Sequence, residues 1–213
     1  MREEQVYFES DGLTTEGLYA PRPGQRGAVV THPHPLMGGN MRNNVVMALV
    51  SVFQRRGFST LRFNFRGVGR SGGVFDNGRG EVGDLRAAVS FLSDEGATEI
   101  VLAGYSFGAV VAASYLFEGS SIDRAVLVSP PLVETGLEIP GLRGKRGLLV
   151  CGEADYFCPV ETLKKVARQV SWDTAVIAGT DHFYIGKEKD LIDAVENWLT
   201  AGVGLKSGEE TSE

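Results

Sequence analysis

Short runs of apolar or β-branched residues, most of them bounded by glycine or proline, recur along the chain. Unbroken apolar runs of this length are typical of strands that are covered on both faces of a parallel sheet. A first pair of runs, Val6–Ser10 and Gly17–Ala20, flanks the turn residues Asp11-Gly12 and predicts an antiparallel hairpin. The other strands are predicted at Ala28–Thr31, Ser59–Phe65, Ile100–Ala103, Ala125–Val128, Leu148–Cys151 and Thr174–Ile177.

Helical patterns separate these runs. Between Glu81 and Asp94, for example, apolar residues recur at spacings of three and four and form one stripe. Eight strands with crossover helices predict a doubly wound, mostly parallel α/β sheet in a single domain, residues 1–201. The glycine- and acid-rich segment 202–213 is predicted to be disordered. The helices are predicted at Asn43–Arg56, Glu81–Asp94, Phe107–Glu118, Val160–Val170 and Lys187–Thr200.

Composition narrows the class of protein. The chain has 213 residues, 43% hydrophobic and 23% charged, which excludes a disordered, coiled-coil or collagen-like protein. The net charge, 21 − 27 = −6, argues against a nucleic-acid partner. There is no secretory signal pattern and no apolar stretch near the roughly 20 residues of a membrane span, so we expect a cytoplasmic protein without a membrane partner. Cys151 and Cys158 form no disulfide framework and match no zinc spacing.

The segment Gly104-Tyr105-Ser106-Phe107-Gly108 joins a predicted strand to a predicted helix. This is the G-x-S-x-G pattern in the strand–turn–helix context of a nucleophile elbow. The glycines allow strand and helix to approach each other around a strained turn. The serine would lie at a helix N-terminus, where backbone N–H groups point toward developing negative charge. Ser106 is therefore the candidate nucleophile.

A serine nucleophile needs a base, and the chain contains three histidines. His182 follows the last predicted strand, and residues just past the ends of parallel strands meet at the edge where Ser106 lies. Asp155, in the loop after Leu148–Cys151, is the candidate acid that orients the base. The chain order serine, aspartate, histidine is a known order for this kind of triad. Asp181, adjacent to the histidine, and Glu153 are the rivals of Asp155.

With this elbow and these candidate triad residues, the chain resembles the α/β hydrolases over residues 4–200. Two longer segments, 32–43 (HPHPLMGGNMRN) and 62–71 (RFNFRGVGRS), are similar to a group of small bacterial members without a cap. That group is close to the dienelactone-hydrolase-like and S9-peptidase-like branches. The resemblance implies an eight-stranded hydrolase sheet and a triad of Ser106, Asp155 and His182. The Gly152-x-x-Asp155 spacing also resembles the acid loop of the family.

The resemblance further implies an oxyanion loop after the third strand. Aligning His-Pro-His-Pro with the His-Gly-X-Pro of the family assigns one oxyanion donor to the backbone N–H of His34. The backbone N–H of Phe107 is the expected second donor. Leu36 and Met37 remain alternatives to His34. His32 is interpreted as a structural histidine that braces this loop.

Two other interpretations of the same segments are weaker. A His-x-His pair can bind zinc, but no cluster of further His or Cys ligands accompanies it, so no metal is predicted. Gly67–Gly72 matches G-x-G-x-x-G, but no helix opens at its end and its strand is the fourth, so no dinucleotide or other cofactor is predicted. This segment is instead expected to form a turn beside the elbow, with Arg66 or Arg70 bonded to neighbouring loops.

The segment between Val133 and Gly147, residues 134–146, is too short for a multi-helix lid. We therefore predict an open site that binds a small-molecule substrate with a modest apolar acyl or alkyl group. The predicted function is a serine hydrolase of small carboxylic esters that forms an acyl-enzyme. The alternatives are a thioesterase or peptidase-like hydrolase on the same triad, and a non-catalytic binding module of the same fold. The predicted substrate-binding residues are Met37, Tyr156, Phe157 and Phe183.

Overall fold

The computed structural model describes residues 2–135 and 140–201, and the predicted disordered segment 202–213 lies outside these ranges. Eight strands form one sheet in the order β1-β2-β4-β3-β5-β6-β7-β8. Strands β3 to β8 are parallel to one another, whereas β2 is antiparallel to both β1 and β4. The strands are β1 Glu4–Ser10, β2 Leu13–Ala20, β3 Arg26–Thr31, β4 Ser59–Phe63, β5 Glu99–Tyr105, β6 Arg124–Val128, β7 Arg146–Gly152 and β8 Asp173–Ile177.

The first two strands form the predicted hairpin, but it is longer than the apolar residues indicated. The register runs from Glu4 opposite Tyr19 to Ser10 opposite Leu13. Asp11 and Gly12 both have positive φ, 51° and 77°. Positive φ at both central residues is the requirement of the hairpin turn that matches the twist of two antiparallel strands. Alternating exposure along β1 explains why an apolar run could mark only part of it.

The helices cover both faces of the sheet and bury two hydrophobic cores. On one face α2, α3 and α5 pack over Val29, Leu102 and Leu149. On the other face α1 and α6 pack over Val30 and Ala103. The central strands are thus buried on both sides, as their unbroken apolar runs predicted. The helices are α1 Asn44–Arg55, α2 Arg79–Asp94, α3 Phe107–Phe117, α4 Leu132–Thr135, α5 Val160–Val170 and α6 Glu188–Ala201.

Strand β4 ends at Phe63, two residues before the predicted end at Phe65. The N–H of Asn64 donates to the Glu16 carbonyl, and the N–H of Phe65 donates to the ring of His32. The N–H of Asn64 thus still pairs with β2, whereas that of Phe65 connects the end of β4 to the start of the loop after β3. In the described part of the chain, no helix is long and apolar enough to cross a membrane.

Candidate active site

Ser106 lies in the sharp turn between β5 and α3. Its φ of 54° and ψ of −119° lie outside the regions that L-residues normally adopt. A Cβ atom on Gly104 would lie 2.5 Å from the Gly108 carbonyl oxygen, and one on Gly108 would lie 2.6 Å from the His32 carbonyl oxygen. Real Cβ atoms essentially never make such short contacts. This turn therefore requires glycine two residues before and two residues after the serine.

A continuous chain of hydrogen bonds joins Ser106, His182 and Asp155. Nε2 of His182 lies 3.0 Å from Oγ of Ser106. Nδ1 of His182 lies 3.0 Å from each carboxylate oxygen of Asp155. All three residues are buried. A carboxylate accepts only from an Nδ1 that carries the proton, so in the neutral ring Nε2 has the lone pair that can accept the serine proton. The structure brings together the three residues that the sequence singled out.

The two rival carboxylates are engaged elsewhere. Asp181 accepts a hydrogen bond from the backbone N–H of Phe183 at 2.9 Å. Glu153 accepts one from the backbone N–H of Gly179, also at 2.9 Å. Among the residues that the structure describes, Asp155 is the carboxylate that reaches the His182 ring.

Asp155 keeps its charge in a buried position. Burial alone would raise the pKa of its carboxyl group, but hydrogen bonds from His182, Ser129 and the backbone of Cys158 outweigh this and hold the pKa below its usual value. Its Oδ1 accepts the backbone N–H groups of Phe157 and Cys158, each at 3.0 Å. The carboxylate is therefore ionised at neutral pH and can stabilise a positive charge on the His182 ring.

Three buried hydroxyl groups that the sequence analysis missed surround this chain. The hydroxyl of Tyr105 donates to the His182 carbonyl at 2.8 Å. The hydroxyl of Ser129 bonds Asp155 and lies 2.7 Å from that of Tyr184. Burial raises the pKa of both tyrosines, so both are neutral hydroxyls here. Ser129 directly follows β6, and the convergence of strand ends could have identified it. The two tyrosines have the sequence signature of core aromatics.

The loop after β3 offers one unused backbone donor next to the elbow. The N–H of Leu36 donates to Nδ1 of His34 at 3.2 Å, and the N–H of Met37 donates to the His34 carbonyl at 3.0 Å. The N–H groups of His34 and Phe107, by contrast, have no acceptor among the described residues. The rings of these two residues are in contact, with centroids 5.1 Å apart. Two neighbouring unpaired N–H groups are what an oxyanion hole requires.

The four predicted substrate-binding side chains lie at the same edge of the sheet. The rings of Phe157 and Phe183 meet the His182 ring edge-on, with centroids 4.9 and 5.7 Å away. Tyr156 packs on Phe157 and is 78% exposed, and Met37 on the loop after β3 is 83% exposed. These apolar surfaces are open to solvent beside the triad.

Phe75 is a further aromatic neighbour that the sequence analysis missed. Its ring lies 4.8 Å from that of His34 and 5.6 Å from that of Phe107. The Phe107 ring is half-buried in this cluster and also contacts Phe65. Phe75 thus forms an aromatic cluster with the rings of the two residues that carry the unpaired N–H groups. It lies in an irregular loop, where no periodicity indicates a side-chain direction.

The Gly67–Gly72 segment forms the expected turn, closed by a bond from the Gly67 N–H to the Gly72 carbonyl. Arg66 pairs with buried Asp84 at 2.8 Å, and the backbone N–H of Arg70 donates to Glu16. Arg66 also pairs with Asp11 in the turn between β1 and β2 at 3.1 Å, a contact with a neighbouring loop as predicted, whereas Asp84 lies in α2 and Glu16 in β2. Across residues 2–135 and 140–201, no three His, Cys, Asp or Glu side chains are grouped as metal ligands would be.

A family model described as "Serine aminopeptidase, S33" matches residues 28–146, more than half of the chain. The chain belongs to this family of α/β hydrolases. A crystal structure of an α/β serine hydrolase homologue from Coxiella burnetii is 32% identical, with a TM-score of 0.85 over 93% of this chain and 98% of that one. An Agrobacterium tumefaciens protein of unknown function, described as a candidate α/β hydrolase, is 30% identical, with a TM-score of 0.87 over 98% of this chain and all of that one.

An uncharacterized protein of Rickettsia prowazekii is 34% identical over 92% of this chain and 88% of its own length. These matches confirm the resemblance to serine hydrolases of the α/β-hydrolase fold. The family match includes Ser106 and the loop after β3, but it ends before Asp155 and His182. The latter two are therefore supported by the hydrogen-bond geometry.

Over the residues that the structure describes, the α/β-hydrolase sheet carries no lid domain. Between β6 and β7 the described residues form only α4 and a 3-10 turn at Pro140–Leu142, and residues 136–139 lie outside the described ranges. Seventeen residues separate Val128 from Arg146, too few for a cap with its own core. Among the described residues, no cap therefore covers the exposed side chains of Tyr156, Phe183 and Met37 beside the buried triad.

Proposed function

We propose that this α/β hydrolase cleaves small carboxylic esters through an acyl-enzyme on Ser106. The observation that carries the proposal is the hydrogen-bonded chain from the Ser106 hydroxyl through His182 to the Asp155 carboxylate. A backbone turn that is strained at the serine adds to it, because such strain persists where the surrounding structure enforces it for function. A module that only binds ligands has no use for this combination.

In the first half-reaction, Oγ of Ser106 attacks the ester carbonyl carbon while its proton moves to Nε2 of His182. The carbonyl oxygen becomes an oxyanion, which accepts hydrogen bonds from the N–H groups of His34 and Phe107. Asp155 stabilises the imidazolium that has formed. The C–O bond to the alcohol then breaks, and the departing oxygen takes the proton from Nε2.

In the second half-reaction, water gives a proton to Nε2 of His182 and attacks the acyl group. The new oxyanion collapses, the acid leaves, and the proton returns to Oγ of Ser106. General base catalysis by a positioned histidine contributes about 10²- to 10⁴-fold. Each oxyanion donor contributes about 10²- to 10³-fold. Both depend on geometry that the fold holds in advance.

One feature favours a small ester over a peptide. The exposed side chains beside the triad are apolar and aromatic, namely Tyr156, Phe183 and Met37, and they suit an acyl or alkyl group. Peptidase activity, which the family description names, is the outcome against which the proposal is tested.

The test compares p-nitrophenyl esters of increasing acyl length, aminoacyl p-nitroanilides and acyl thioesters on wild type and Ser106→Ala. We expect the esters to be the best substrates and Ser106→Ala to lose about 10⁴-fold or more of the rate. A fluorophosphonate probe should label the wild type and not the variant. Ser114→Ala, on the exposed side of the same helix, is the matched control and should retain full activity.

Full ester hydrolysis by Ser106→Ala would refute the assignment of the nucleophile. If wild type cleaves anilides or thioesters faster than esters, and Ser106→Ala abolishes that cleavage, the triad assignment would stand. The proposed substrate class would then change from esters to amides or thioesters.

A further inference from the structure

The ring of His32 is fully buried and hydrogen-bonded at both nitrogens. The backbone N–H of Phe65 donates to Nε2 at 3.0 Å, so this nitrogen carries a lone pair and no proton. In the neutral ring the proton is then on Nδ1, which lies 2.6 Å from the Pro33 carbonyl oxygen and donates to it. Burial lowers the pKa of His32 to about 4, so the ring is neutral at physiological pH.

The Pro33 carbonyl and the His34 N–H belong to the same peptide group. A trans peptide is planar, and its C=O and N–H bonds point in opposite directions. A hydrogen bond that fixes the direction of the Pro33 carbonyl therefore also fixes the direction of the His34 N–H. That N–H is the donor next to the elbow that has no acceptor among the described residues.

The same peptide is confined by close packing. A Cβ atom on Gly39 would lie 2.1 Å from the Pro33 carbonyl oxygen, so the returning loop touches the peptide from one side. The His32 carbonyl in turn lies against Gly108 in the first turn of α3, one residue after Phe107. The peptide that carries the His34 N–H is thus held beside the helix end that carries the Phe107 N–H.

We infer that His32 is a positioning residue for catalysis: its Nδ1–H holds the Pro33 carbonyl and thereby aims the His34 N–H at the oxyanion. The inference rests on the proposed function, since it assigns a task within the same reaction. The hydrogen bond also polarises the peptide, and bonded peptide groups strengthen one another as donors and acceptors. His32 acts without touching substrate.

The competing explanation is that His32 only ties the loop after β3 to the end of β4, through its bond with Phe65. Two substitutions separate these tasks, because the amide of asparagine lies at the δ position of the side chain and that of glutamine lies at the ε position. His32→Asn can keep the donor to Pro33 while losing the acceptor for Phe65. His32→Gln can keep the acceptor for Phe65 while losing the donor to Pro33. Each variant leaves one buried hydrogen bond unmade, so their losses of stability should be similar.

The readout is the ratio of the rates with an ester and with the thionoester of the same acid and alcohol. An oxyanion hole discriminates between oxygen and the larger sulfur, whereas the amount of active protein cancels from the ratio. We expect His32→Asn to keep the wild-type ratio and an ester kcat within a few-fold. For His32→Gln we expect ester kcat to fall by about 10- to 100-fold, which is part of the rate contribution of one oxyanion donor. Its KM should change little, and its ester-to-thionoester rate ratio should fall by a similar factor.

Equal ratios in the two variants and the wild type would overturn the inference while leaving the esterase assignment intact, provided that Ser106→Ala abolishes wild-type activity. Wild type without Ser106-dependent ester hydrolysis would overturn both. If the His32 variants do not fold, Gly39→Ala pushes on the same Pro33 carbonyl from the other side. A reduced ratio in that variant would support the step through which His32 is inferred to act, the coupling of the Pro33 carbonyl to the oxyanion donor, and an unchanged ratio would overturn the inference.

Discussion

Replacing Asp155 by asparagine tests whether this carboxylate sets the tautomer of His182. Oδ1 of Asp155 accepts two backbone N–H groups, from Phe157 and Cys158, in addition to Nδ1 of His182. In Asp155→Asn the amide oxygen should occupy this position, because the reverse orientation would set the NH₂ group against two N–H donors. At about 1 to 3 kcal/mol for each buried donor left unpaired, that reverse orientation costs roughly 2 to 6 kcal/mol.

The NH₂ group of the variant then occupies the Oδ2 position, 3.0 Å from Nδ1 of His182. It can only donate there, whereas the amide oxygen already accepts two backbone N–H groups, which favours the tautomer with the lone pair on Nδ1 and the proton on Nε2. A protonated Nε2 cannot accept the proton of Ser106. We expect kcat to fall by about 10⁴, which is roughly 5.5 kcal/mol of transition-state stabilisation, with KM nearly unchanged.

Initial rates with p-nitrophenyl butyrate over a range of concentrations measure both constants. Asp181→Asn is the matched control, because its amide oxygen can still accept from the Phe183 N–H and the residue is exposed. We expect that variant to stay within about threefold of wild type, as is usual for surface substitutions. An Asp155→Asn enzyme within tenfold of wild type, or a greater loss in Asp181→Asn, would refute this reasoning.

Gly108→Ala should lose about 1 to 3 kcal/mol of unfolding free energy in urea, together with activity, because its Cβ would overlap the His32 carbonyl. Gly72→Ala, whose Cβ would make only ordinary contacts, should be nearly neutral, and equal losses would contradict the packing argument. Because burial lowers the pKa of His32 from 6.5 to about 4, the unfolded chain takes up this proton first as the pH falls. As the pH falls from 6.5 to 4, the unfolding free energy of wild type should therefore decrease by about 3 kcal/mol more than that of His32→Asn, since each unit of pKa difference corresponds to about 1.36 kcal/mol. Parallel plots of unfolding free energy against pH for the two proteins would contradict this prediction.

The sequence was sufficient to predict the parallel sheet and the strand–turn–helix setting of the candidate nucleophile. Unbroken apolar runs report burial on both faces, and that burial is a local property of each strand. The glycines around Ser106 are equally local, since they reflect the approach of a strand and the helix that follows it directly. The hairpin turn at Asp11 and Gly12 belongs to the same class, because its backbone angles depend on two adjacent residues.

The acid and the base were predictable for a different reason. Parallel strands bring their carboxyl ends to one edge, so position in the chain order placed Asp155 and His182 near Ser106 without a contact being known. That argument could not separate Asp155 from Glu153 or Asp181. The choice depended on which side chain turns toward the ring, and loop conformation determines that direction.

Only the tertiary structure decided the environment of the triad and the identity of the unpaired backbone donor. Ser129, Tyr184 and Phe75 meet their partners across long stretches of chain, in loops that have no repeating pattern. Among Leu36, Met37 and His34, the free N–H became apparent only once the hydrogen bonds of the loop were known. Likewise, the tautomer of His32 is set by Phe65, 33 residues away. Periodicity in a sequence encodes which face of an element is buried, whereas hydrogen-bond partners in loops depend on the folded positions of many residues at once.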